Sequence, residues 1–78
     1  MNDDVISYII NELNALHIYP INDKQYAIAL KEITPQVIHC LHTCGCYNIQ
    51  IAGIWKEWAT HNVCMEYIEI SCEWTKGE

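Results

Sequence analysis

Apolar residues recur near the start of the chain at Val5, Ile6, Ile9, Ile10, Leu13 and Leu16. That spacing predicts an amphipathic helix with Asp3 or Asp4 as its N-cap. Pro20 closes this region, because the residue before a proline is driven toward extended backbone. His17-Ile18-Tyr19 reads as the extended lead-in to it. Asn22, with Gln25 three residues later, has the form of a partial capping box. It predicts a second helix from Lys24 to Glu32 that buries Tyr26, Ile28 and Leu30 in part. Thr34-Pro35 predicts a third start, a capping hydroxyl followed by proline at the first helical position. Val37, Ile38, Leu41 and Cys44 then form an apolar side, and Gly45 stands where a left-handed helix end belongs.

The second half alternates instead. Tyr47-Asn48-Ile49-Gln50-Ile51 has a period of two. Between Tyr67 and Trp74, the residues Ile68, Ile70, Cys72 and Trp74 fall on one side and Glu69, Ser71 and Glu73 on the other. β-Branched and aromatic content favours strands, joined by a loop around Lys56 to Asn62. The last segment also fits a helix capped by Asn62 with Val63, Tyr67, Ile70 and Trp74 as its stripe. The reading is therefore one α+β domain over residues 1–78, three short helices followed by a β-hairpin. That is the element order of winged-helix domains. The alternative is an all-α bundle of four or five small helices.

Composition adds a surplus. The chain has 78 residues, 51% of them hydrophobic and 18% charged. A domain this small buries only roughly 60% of its unfolded surface. Apolar side chains therefore remain for a surface patch, which points to a partner or a homo-oligomer. Ten acidic residues face four basic ones, and the net charge is −6. No arginine is present. This balance argues against direct nucleic-acid binding and against an anionic membrane surface. The natural complement is a basic protein surface. The acidic start Met1-Asn2-Asp3-Asp4 is unlike the basic region of a secretory signal, and no apolar run approaches the ~18 residues of a membrane span. The expectation is a cytoplasmic protein whose five cysteines stay reduced.

The stretch His39-Cys40-Leu41-His42-Thr43-Cys44-Gly45-Cys46 concentrates thiols and imidazoles. Zinc takes four such ligands in a tetrahedron, and Cys40, Cys44 and Cys46 with His61 or Cys64 could supply them. The spacing matches no standard finger, and buried cysteine is equally a small apolar core residue. The expectation is no cofactor, with zinc as the alternative. His42–Cys46 and His61–Cys64 pair a thiol with an imidazole, but nothing marks an orienting third group or an oxyanion hole. With glycine only at positions 45, 53 and 77, no phosphate loop exists either. No enzymatic activity is expected.

Aromatic and acidic residues crowd the C-terminal half instead. Trp55, Trp58, Glu66, Glu69 and Glu73 are the expected partner-binding residues, since tryptophan is enriched at interface hot spots. The expected function is a small acidic protein-interaction module. One form would be a phage or mobile-element inhibitor that mimics nucleic acid on a basic host surface. The alternative is a small zinc-held structural domain.

Overall fold

The computed structural model describes residues 1–75. Two helices and four strands follow one another as α1 (Asp3–Glu12), β1 (His17–Pro20), β2 (Gln25–Leu30), α2 (Pro35–Thr43), β3 (Cys46–Trp58) and β4 (Cys64–Trp74). The strands form one antiparallel sheet in the order β1-β2-β4-β3. The α+β class agrees with the sequence reading. The winged-helix element order and the all-helical alternative do not, because the expected second helix is a strand.

That segment explains its own conformation. Tyr26, Ile28 and Leu30 are two apart, so on a strand they share one face, and Ala27 and Ala29 take the other. Residues 27–30 are all buried. A strand covered on both faces loses the apolar/polar alternation by which strands are usually recognised. Asn22 does cap, but in a hairpin turn. Its side-chain Oδ1 accepts from the backbone N–H of Lys24 and of Gln25, each at 2.9 Å.

The second helix begins at Thr34-Pro35 as its sequence predicts, whereas the cap of the first is Asn2 and not Asp3 or Asp4, which are already helical. Asn2 caps α1, accepting from the Val5 amide at 2.9 Å, and Asp3 and Asp4 sit in the first turn where the helix dipole favours acids. Thr34 caps α2, accepting from the Val37 amide at 3.2 Å, with Pro35 as the first helical residue. The helices lie on one face of the sheet. Their buried Ile9 and Leu41 meet Ile28, Leu30, Ile70, Cys46 and Cys72 in a single core. Trp74 packs against this core, and its indole N–H donates to the Cys44 carbonyl at 2.9 Å.

Gly45 follows α2 with φ at +102°, and a Cβ there would stand 2.7 Å from the Thr75 carbonyl oxygen. Gly45→Ala should therefore cost at least ~1–2 kcal/mol, the usual penalty of left-handed backbone for an L-residue. A thermal melt followed by circular dichroism checks this, and an unchanged midpoint would contradict it.

The β3–β4 hairpin is longer than its alternation suggested. Lys56, Glu57 and Trp58 continue β3, and the turn is confined to residues 59–63. The Thr60 hydroxyl organises it by accepting from the Asn62 and Val63 amides. The α-helices span only about 15 Å at 1.5 Å per residue, whereas β3 spans about 40 Å at 3.3 Å per residue. β2 ends at the Leu30–Ile68 pair, so the four outermost β3–β4 pairs stand as a two-stranded arm. The elongated 46 × 24 × 21 Å envelope follows from this mismatch.

Candidate functional site

Among the described residues no helix or second sheet covers the sheet face opposite the helices, and the residues of this face follow from the strand registers. His17 pairs with Ala29, Ala29 with Glu69, and Glu69 with Gly53, which fixes one row across all four strands. The next row holds Tyr19, Ala27, Ser71 and Gln50. Beyond the first row lie Trp55 and Tyr67, and at the other end Tyr47 and Glu73. Two register shifts in β3, between Tyr47 and Gln50 and between Ile51 and Gly53, bend this edge strand. Asn48, in the first shift, has φ at +52° and donates through its side-chain amide to Glu73.

Small residues in the middle let the edges meet. Ala27 and Ala29 fill little height, so the His17 and Trp55 rings, from opposite edge strands, close over them edge to face at 4.9 Å. His17 also contacts Tyr19 at 5.2 Å. Glu69 lies under this roof. Its Oε2 accepts from the Tyr19 hydroxyl at 3.5 Å and stands 3.6 Å from His17 Nε2. That imidazole nitrogen is buried with no hydrogen-bond partner, so protonated His17 would form an ion pair there. The Trp55 indole N–H donates to Glu57 at 3.1 Å.

The result is an aromatic and acidic face. Tyr19, Tyr47 and Trp55 are each about 40% exposed, and Glu57, Glu69 and Glu73 stand among them. Among the described residues no lysine shares it. Lys24 lies in the β1–β2 turn, Lys31 lines a polar groove between α1 and α2, and Lys56 points to the helix side.

Three of the five expected partner-binding residues, Trp55, Glu69 and Glu73, come together here. Trp58 and Glu66 do not. They pair with Cys64 and Lys56 on the opposite face, because an odd offset along a strand reverses the side. Tyr19, Tyr47 and Glu57 belong to the face and were missed. Only the strand order brings β1 and the start of β3 beside Glu69 and Glu73. Glu57 also looked like loop.

The alternative zinc set of Cys40, Cys44, Cys46 and His61 is not assembled. His61 lies in the hairpin turn, while Cys46 begins β3 at the far end of the arm, roughly 40 Å away at 3.3 Å per residue. Among the described residues, no group of three or more His, Cys, Asp and Glu side chains is placed to hold a metal. Cys46 and Cys72 are instead buried core neighbours. A hydrogen bond with Cys72 and then burial push the Cys46 thiol upward, and burial also raises Cys44. The raised Cys46 value means the folded state holds this proton more tightly than the unfolded state. The same hydrogen bond lowers the Cys72 thiol, so the two shifts oppose one another in the pH dependence of stability. Native alkylation at neutral pH should accordingly modify Cys40 and Cys64, which are partly exposed, and spare Cys46 and Cys72. Peptide mass mapping reads this directly. Equal labelling of all five thiols would contradict the core placement.

No protein-family model, no curated protein and no solved structure matches this chain. Among the described residues no helix is long and apolar enough to cross a membrane.

Proposed function

We propose that this protein is an acidic protein-interaction module whose helix-free sheet face docks on a lysine- and arginine-rich surface of another protein. The observation that carries the reading is the composition of that face, three carboxylates and three half-exposed aromatics with no lysine among the described residues. Carboxylates steer and orient a basic partner, and the aromatics supply contact area at little entropic cost. The Glu69 carboxylate is already held by Tyr19, so little ordering is needed on binding. An inhibitor that competes with nucleic acid for a basic surface is the form of this function in best accord with the net charge of −6.

A charge-matched pair of variants tests it against an oligolysine probe, read by tryptophan fluorescence. Glu57→Lys with Glu73→Lys removes acids from the face. Asp3→Lys with Asp4→Lys changes the net charge equally at the start of α1. The first variant should weaken binding by about tenfold or more, and the second should change it little. Equal losses would reduce the effect to net charge and overturn the assignment of the face.

A further inference from the structure

The other side of the arm carries a different surface. Ile51, Ile54 and Trp58 of β3 pair with Ile70, Ile68 and Cys64, so all three point to the helix side. The helices do not reach that far, and these side chains are 72%, 60% and 62% exposed. They form an apolar stripe along the outermost strand, interrupted by Lys56 between Ile54 and Trp58. Beside it runs the outer edge of β3, whose backbone groups have no neighbouring strand among the described residues. Exposed edges are usually blocked by proline, by lysines or by extreme shortness. β3 has 13 residues and no proline, its register shifts lie before Ile54, and Lys56 is its single lysine.

We propose that this edge and stripe are the interface between two copies of the chain, joined by antiparallel β3–β3 pairing about a two-fold axis at Lys56. The occupant follows from self-complementarity. A two-fold axis normal to the sheet keeps each face on its own side, so it pairs residues whose numbers sum to an even value. Centred on Lys56, it sets Ile54 of each copy opposite Trp58 of the other and joins the two apolar stripes across the seam. It also sets Trp55 opposite Glu57 of the other copy, the same pair that already bonds within one chain. The central row then reads Glu66, Lys56, Lys56, Glu66, with the two like charges flanked by opposite ones. The arm between Ile51 and Ile68 carries only Lys56, Glu57 and Glu66 as formal charges, whereas the rest of the chain carries most of the net −6. Two arms therefore approach with little repulsion, and the pairing is isologous and closed.

The test is sedimentation equilibrium of the full chain under reducing conditions over a wide concentration range. The wild type should show a reversible monomer–dimer equilibrium. Lys56→Glu turns the central row into four carboxylates and should raise the dimer Kd by roughly tenfold or more. Adding Glu66→Lys again flanks the like central pair with opposite charges and should restore dimerisation. Both sites are exposed, so circular dichroism should be unchanged, and Ile54→Lys gives a second disruption through the stripe. A monomer at every concentration overturns the proposal. So does a dimer that survives Lys56→Glu and Ile54→Lys with its affinity unchanged. Lys56, Ile54 and Glu66 lie on the helix side, so substituting them leaves the carboxylates of the docking face in place. Trp55 and Glu57 would stand at the seam, so oligolysine binding is also measured in the Lys56→Glu background, where a loss of docking is distinct from a loss of dimer.

Discussion

Ile28→Ala is expected to bring this protein to the edge of unfolding. Ile28 is fully buried on β2, paired with Ile18 on one side and Ile70 on the other, under Ile9 and Leu41 of the helices. Truncating such a residue removes its transfer energy and leaves a cavity, at a cost of about 2–5 kcal/mol. A chain of this length holds only about 4–12 kcal/mol in total at 0.05–0.15 kcal/mol per residue. The loss is thus a large share of the whole. Ile51→Ala is the control. It deletes the same atoms from a side chain that is 72% exposed and should change stability by under ~0.5 kcal/mol. Urea titration of both variants separates the cases, and equal midpoints would contradict the placement of the core.

Trp55→Ala is expected to have the largest effect on recognition. Trp55 is part of the roof over Ala29, contacts His17 edge to face, and directs its indole N–H to Glu57. Its removal takes away the broadest aromatic surface of the helix-free face and releases one of its carboxylates. A hot-spot tryptophan contributes about 2 kcal/mol or more, which predicts a loss of oligolysine affinity of roughly 30-fold. The fold should persist, because the ring is 40% exposed and lies outside the main core. Trp58→Ala should leave oligolysine binding unchanged, since Trp58 is on the opposite face. Parallel losses in the two variants would show that the aromatics act through the hairpin as a whole.

The elements that could be read directly were those with local chemical signals. Thr34-Pro35 announced α2, the apolar spacing announced α1, and alternation from Tyr67 to Trp74 announced β4 and its two faces. β2 was misread because Asn22 and Gln25 imitate a helix cap. Small Ala27 and Ala29 also conceal a strand buried on both sides. The period of two in Tyr26, Ile28 and Leu30 was present but short, and short apolar runs do not distinguish strand from helix. The hairpin was underestimated because Lys56-Glu57 has loop-like polarity, yet on a two-stranded arm both faces meet solvent.

The candidate site was legible to the same depth. Glu69 and Glu73 could be placed together from alternation alone. Trp55 joined them once the strand extended through it, and the same parity excluded Trp58 and Glu66. Tyr19 and His17 lie some fifty residues away in sequence, and only the β1-β2-β4-β3 order brings them to Glu69. The cysteines drew attention as a cluster, but the fold spends Cys46 and Cys72 in its core and sends His61 to the far end of the arm.

The most direct test of the docking face is a backbone-amide and indole NMR map of the full chain titrated with an oligolysine peptide. The predicted perturbations gather on the helix-free face, at Tyr19, Tyr47, Glu69, Glu73 and the Trp55 indole, and spare the first turn of α1. Perturbations centred instead on Asp3 and Asp4, or on Glu12 and Glu32 beside the α1–α2 groove, would contradict the proposed function.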